Sequence, residues 1–116
     1  MSFRASTVSK SRPYGLQSAG EVCEQAGCSH RTLDYWVRVG LIVPAVDAAG
    51  AGTDRWFTAD EIVATRLAVI LAKLPIDVRR LILKSYRAAP EVSKLIFPLA
   101  PNTTLSLDLV AIRRTL

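Results

Sequence analysis

Ser18 and Ser29 each stand where a helix can start, and Gly27 lies between them, so this stretch has room for two short helices and a tight turn and for little else. Ser18 followed by Glu21 has the form of a capping box: the hydroxyl takes a backbone N–H of the first turn while the carboxylate reaches back to the serine N–H. Ala19, Val22, Cys23 and Ala26 then recur at helical spacing. They run up to Gly27, the residue that most easily takes the left-handed conformation closing a helix. The pattern predicts a first helix over 19–26. Ser29 caps a second helix, in which Leu33, Trp36 and Val37 share one face and Gly40 marks the end. Two short helices joined through Gly27 and Cys28 form a helix-turn-helix.

Downstream, the apolar triplet Leu41, Ile42 and Val43 predicts a strand that stops at Pro44, which can neither donate to a ladder nor leave φ free. Residues 45–54 contain Gly50 and Gly52 and no packing pattern. They lead to Arg55, Trp56 and Phe57, whose aromatic content favours an extended return strand and hence a two-stranded wing. Thr58 with Glu61 reads as a second capping box. Ile62, Val63, Arg66, Leu67, Ile70, Leu71 and Leu74 then keep helical spacing up to Pro75. A fourth helix is expected from Asp77, with Val78, Leu81, Ile82 and Tyr86 on one face and Arg79, Arg80, Lys84 and Arg87 elsewhere, closing before Pro90. Residues 94–99 and 103–107 have strand-like composition around Ala100, Pro101 and Asn102, and 107–116 can end as a short helix carrying Leu109, Ile112 and Leu116.

The expected fold is therefore mainly α. A winged helix-turn-helix over 16–74 is preceded by a flexible basic arm at 1–15. It is followed at 75–116 by an extra helix and a short C-terminal β-hairpin or strand/helix appendage. No internal repeat is visible.

A chain of 116 residues that is 50% hydrophobic and 22% charged has the material for one compact core. Fifteen Lys and Arg against ten Asp and Glu give a formal net charge of +5, which suits a polyanionic partner. The excess is unevenly placed: residues 1–60 carry six basic and six acidic side chains, and residues 61–116 carry nine basic and four acidic. Cys23 and Cys28, with one histidine in the chain, offer neither a zinc framework nor a disulfide scaffold and read as small buried apolar residues. The first thirteen residues lack the apolar stretch of a secretory signal. The most apolar run, 62–74, is too short to span a bilayer and is interrupted by Arg66 and Lys73. A cytoplasmic, nucleoid-associated protein is expected, with no membrane role.

A helix-turn-helix offers the N-terminal half of its second helix to the major groove of double-stranded DNA. Here those positions are Ser29, His30, Arg31, Thr32, Asp34 and Tyr35. Arg31 suits the bidentate contact to guanine, and Thr32, Tyr35 and Arg38 suit phosphate anchoring. His30 has no carboxylate or thiol arranged around it that would make it a general base. Asp60 and Glu61, at a helix start, fit favourable placement against the helix dipole better than a catalytic pair. No catalytic residue, cofactor site or metal site is expected, and the chain does not read as an enzyme.

From Leu16 to Leu71 the sequence resembles the DNA-binding domain of MerR-type transcriptional regulators and the related excisionase-like proteins. The turn and second helix of that family, a Gly-Val-Ser-like turn followed by "RTLRYYExxGL", are matched by Gly27-Cys28-Ser29-His30-Arg31-Thr32-Leu33-Asp34-Tyr35-Trp36-Val37-Arg38-Val39-Gly40-Leu41. Asp54-Arg55-Trp56-Phe57-Thr58-Ala59-Asp60-Glu61 is similar to the segment where the family wing closes. The resemblance implies that Arg31, Tyr35 and Arg38 face DNA and that Arg55 on the wing grips phosphate.

The sequence departs from the family in three places. Asp34 stands where the family usually carries Arg, removing a cation beside the phosphates. Trp36 is similar to the residue used by the small excisionase-like branch, which has no sensory domain. Pro75, Pro90, Pro98 and Pro101 forbid the long dimerisation helix of the family. A sequence-specific transcriptional regulator is the leading expectation, acting as a homodimer or in head-to-tail assembly on DNA. The rivals are an excisionase-like recombination or architectural factor of a phage or plasmid, and an antitoxin-like protein whose segment 90–116 binds a protein partner.

Overall fold

The computed structural model describes residues 15–46 and 55–116. All but the last residue of the basic arm expected over 1–15, and most of the turn expected over 45–54, lie outside the described residues. The elements run β1 (Gln17–Ser18), α1 (Ala19–Ala26), α2 (His30–Arg38), β2 (Trp56–Phe57), α3 (Ala59–Ile70), α4 (Ile76–Ala88), β3 (Lys94–Ala100), β4 (Thr103–Asp108) and α5 (Leu109–Arg114). Val22, Leu33, Leu41, Ile42, Phe57, Leu67, Ile82, Leu83 and Tyr86 are buried in one cluster, which Leu107 and Leu109 of the C-terminal segment also join.

Local chemistry accounts for the first two helices. Ser18 Oγ accepts the Glu21 N–H at 3.3 Å and the Glu21 carboxylate accepts the Ser18 N–H at 2.9 Å, a complete capping box. Gly27 closes α1 at φ +84°, and the N–H groups of Gly27 and Cys28 both reach Cys23 O, at 2.9 and 3.1 Å. Arg66 of α3 adds a tertiary cap by donating from Nη1 to Ala26 O at 3.1 Å. A Cβ at Gly27 would be left-handed and would approach Arg66 Nη1 at 3.2 Å. Gly27→Ala is therefore expected to lower the unfolding free energy by about 1–2 kcal/mol, the left-handed penalty, since the arginine tip can shift. Urea denaturation monitored by circular dichroism reads this directly.

The strand expected at Leu41–Val43 is not formed. Gly40 takes φ +80°, and the N–H groups of Leu41 and Ile42 turn back to Trp36 O at 2.9 and 3.2 Å, closing α2. Leu41 O accepts from Arg87 and the Val43 N–H donates to Glu61, so all three N–H groups of the triplet and the Leu41 carbonyl are already spent, and the ladder expected there does not form. Trp56 and Phe57 pair instead with β1, Gln17 opposite Phe57 and Ser18 opposite Trp56. Beyond Pro44, Val46 makes a single antiparallel bridge to Trp56, with Trp56 N–H donating to Val46 O at 3.0 Å.

Only half of the second expected capping box is present. Thr58 Oγ1 accepts the Glu61 N–H at 3.2 Å, but the Glu61 carboxylate turns inward. Glu61 is 6% exposed. Its oxygens accept from Val43 N–H (2.8 Å) and from Arg87, whose Nε lies 3.2 Å from Oε2 and whose Nη2 bonds Oε1. Beyond Ile70, α3 gives way to turns, with Ala72 N–H on Val69 O and Leu74 N–H on Leu71 O, and α4 starts at Ile76 behind Pro75.

The phase of α4 differs from expectation. Leu83 is buried and Leu81 is 54% exposed, with Ile82 and Tyr86 inside as expected. The inward stripe is flanked by Arg79 and Arg87 rather than opposed by them. The Arg79 guanidinium lies 5.9 Å from the Trp36 ring centroid, and Arg87 reaches Glu61. Arg80 donates to Val39 O and pairs with Asp77, and Arg113 donates to Val92 O and Pro90 O. Much of the positive excess in the C-terminal half thus ties elements together, while Lys73, Lys84, Lys94 and Arg114 stand exposed.

Burial pushes the Cys28 thiol from its ordinary 9.0 up to about 12, and burial followed by the nearby Asp60 carboxylate pushes the Tyr86 hydroxyl from 10.0 up to about 12. Both groups lose a proton more readily when unfolded. Their contribution to stability is complete below pH 9 and is lost as pH rises toward 12. The thermal midpoint is expected to fall across that window, and Tyr86→Phe to flatten the fall. A midpoint independent of pH there excludes the burial of these groups as its cause.

Candidate nucleic-acid interface

Ser29 places the start of α2 by accepting the Thr32 N–H on Oγ at 3.1 Å, and its hydroxyl also donates to Thr32 Oγ1 at 3.0 Å. Leu33 and Trp36 anchor the helix in the core. Helical periodicity then turns the opposite stripe to solvent: His30, Arg31, Asp34, Tyr35 and Arg38 are exposed and Thr32 is half-buried. All the polar positions singled out on this segment therefore lie at or beside one open face.

Arg55 comes to the same face from the position just before β2. Its Nη1 donates to Asp34 Oδ1 at 2.7 Å, while Asp34 Oδ2 lies 3.5 Å from Arg38 Nη2 one helical turn on. The Arg38 guanidinium also sits 5.9 Å from the Tyr35 ring centroid. The hydrogen bond from Arg55, backed by the charge of Arg38, holds the Asp34 carboxyl below its usual range. Asp34 is thus the hub of the site, tying a cation of α2 to Arg55 from 21 positions on. The sequence identifies it only as a departure from a familiar pattern. Its partner at Arg55 is 21 positions away and carries no local signal.

A cleft lined by Ala19, His30, Arg31, Leu33, Asp34, Arg55 and Phe57 joins this face to the start of α1. A Cβ built at Gly20 would lie 3.8 Å from His30 Cε1, so the N-terminal ends of α1 and α2 are neighbours. Chemically the surface offers two helix N-termini, three guanidinium groups, an imidazole, three hydroxyl-bearing side chains and one carboxylate, the kinds of group that suit an anion with hydrogen-bonding edges. Cys23 and Cys28 lie to the side of it, Cys23 buried and Cys28 partly so, and both thiols are pushed up by burial. Among the described residues, no group of three or more His, Cys, Asp or Glu side chains is placed to hold a metal ion, and no helix is long and apolar enough to cross a membrane.

Residues 18–51 match the family model described as MerR family regulatory protein. Curated relatives include uncharacterized HTH-type transcriptional regulators of Mycobacterium bovis and of two strains of Mycobacterium tuberculosis. Each is 39% identical over 46 residues, which is 39% of this chain and 20% of the relative. The chain thus matches about a fifth of the length of these relatives, and the family-model match, over residues 18–51, includes α2.

Proposed function

We propose that this chain is a sequence-specific DNA-binding regulator of MerR-like type, with α2 in the major groove and a wing rooted at Val46 and Trp56 lying along the adjacent backbone. The observation that carries the reading is the exposed stripe of α2, tied through Asp34 to Arg55, on a helix-turn-helix that matches the MerR family model. The relatives' description as HTH-type transcriptional regulators supports the same reading. Arg31 reads a guanine edge, where a bidentate guanidinium contact is worth roughly 1–3 kcal/mol of discrimination. Ser29, His30, Thr32, Tyr35, Arg38 and Arg55 fix register on phosphates and sugars.

Asp34 sets the balance between affinity and selectivity. Its carboxylate faces the polyanion at some cost in affinity, and in return it orients Arg38 and Arg55. Asp34→Asn removes one negative charge from the face and releases both arginines. Its binding to non-specific duplex is expected to rise by a few fold while the ratio of preferred to random sites falls, the size expected for one unit charge near a surface. Fluorescence anisotropy on both kinds of duplex checks this.

The function itself is tested by selecting bound fragments from a random duplex library with the purified chain at near-physiological salt. An enriched inverted repeat supports a symmetric regulator. Enriched direct repeats move the assignment to an excisionase-like factor that assembles head to tail. Recovery of unenriched sequence overturns sequence-specific reading by α2.

A further inference from the structure

The β3–β4 hairpin has two edges of different character. The register pairs Lys94 with Asp108, Leu95 with Leu107, Ile96 with Ser106 and Phe97 with Leu105. The Leu109 N–H donates to Ser93 O at 2.9 Å, which sets the phase of the ladder: pairs 93/109, 95/107 and 97/105 exchange hydrogen bonds, and the residues between them aim their backbone groups outward. On β3 the outward positions include Lys94 and Pro98, and the register shifts between Pro98 and Ala100. Proline has no N–H to offer, and a lysine, a proline and an irregularity are the devices that blunt a strand edge. In addition, α4 and α5 pack on β3. On β4 the outward positions are Thr104, Ser106 and Asp108. All three are exposed, none is a proline, and Thr104 and Ser106 bring N–H and C=O groups to an open edge.

We propose that this edge of β4 docks a second copy of the chain, the two strands pairing antiparallel about Ser106 so that two hairpins become one four-stranded sheet. Three observations select a second copy over a foreign strand. The first is continuity of the apolar face. Pairing about Ser106 sets Leu105 of one copy opposite Leu107 of the other, so that Phe97, Leu105, and the partner copy's leucines form an unbroken apolar row across the sheet. The second is charge. Asp108 meets Thr104 of the other copy, its own cross-strand neighbour is Lys94, and the two Asp108 carboxylates stand about 13 Å apart along the strands, beyond the screening length of physiological salt. The third is closure. One edge is open and the other blunted, so addition stops at a two-fold pair instead of growing into a fibre. The hairpin gains from the pairing, because two strands alone are marginal in water.

The proposal is independent of the reading as a DNA-binding protein, and its test uses the full chain without DNA. Ser106→Cys is expected to give a disulfide-linked dimer under mild oxidation, with Ile96→Cys on the outer edge of β3 remaining at the wild-type background. Sedimentation velocity over a concentration series is expected to show a dimer that Thr104→Pro abolishes and Ile96→Pro preserves, each proline removing one outward N–H from opposite edges. Circular dichroism confirms that each variant is folded. Equal crosslinking at positions 106 and 96, or a wild-type chain that stays monomeric with no crosslink at 106, overturns it.

Discussion

Arg87→Ala is expected to lower the unfolding free energy by about 3 kcal/mol, the low end of the range for removing one partner of a buried ion pair. Arg87 binds both oxygens of Glu61 and donates to Leu41 O at 2.8 Å. Its removal leaves a carboxylate that is 6% exposed with the Val43 N–H as its remaining tertiary partner, and strands the Leu41 carbonyl in the segment beyond α2. The low end applies because the Arg87 side chain is itself about a third exposed, so water reaches its end of the pair. The double substitution Glu61→Met with Arg87→Met separates the cost of an orphaned charge from the value of the pair, since apolar replacement of both partners is often neutral or stabilising. Urea titrations of the two variants decide the matter. If Arg87→Ala unfolds at the wild-type midpoint, the junction of α3, α4 and the end of α2 does not depend on this network. The network holds the segment that follows α2 through Leu41 and Val43, so under the proposed function Arg87→Ala is also expected to weaken DNA binding at temperatures where the protein is still largely folded.

Arg31→Ala is expected to reduce binding to the selected site by about 5- to 150-fold, the roughly 1–3 kcal/mol of a lost bidentate base contact, and to change binding to random duplex little. Arg55→Ala provides the contrast. It should weaken preferred and random DNA alike and lower the slope of log affinity against log salt by about 1, because a phosphate contact releases a counterion whatever the sequence. The two side chains are separated in the structure by what holds them. Arg55 is half-buried and bonded to Asp34, while Arg31 stands exposed at the cleft mouth. Titrations of both variants on both duplexes at several salt concentrations measure all four quantities. A uniform loss for Arg31→Ala would make it a phosphate contact and leave base reading to other positions of α2.

The residues that place the candidate interface are legible in the chain because their signals are local. Ser18 with Glu21, Gly27, and Ser29 with Thr32 make contacts three or four residues apart, and the exposure of Arg31, Asp34, Tyr35 and Arg38 follows once Leu33 and Trp36 are assigned to the core. What the interface does with Asp34 is not legible, since a carboxylate among arginines reads as a lost cation until Arg55 is brought to it from 21 positions away. Glu61 did carry a signal. The run after it, Ile62-Val63-Ala64, is apolar without a break, which leaves α3 little polar face at that end, and a carboxylate buried there needs a partner.

The sequence by itself determined the two short helices, their caps and turn, the cap of the third helix and the polar stripe of the second. Each of these depends on hydrogen bonds or periodicity within one or two helical turns, and such interactions form wherever the chain goes. Tertiary structure decided what depends on contacts between distant segments. Leu41–Val43 has the composition of a strand, yet its backbone groups are taken by the end of α2, by Arg87 and by Glu61, and β1 supplies the partner that Trp56 and Phe57 need. Leu81 and Leu83 are equally apolar, so which of them is buried depends on the rotation of α4 as it docks, with Arg79 on Trp36 and Arg87 on Glu61 flanking the inward stripe. A basic residue in sequence is only a charge. Whether it meets a partner molecule or the chain's own carbonyls and carboxylates depends on groups that folding brings together from 26 to 46 positions apart.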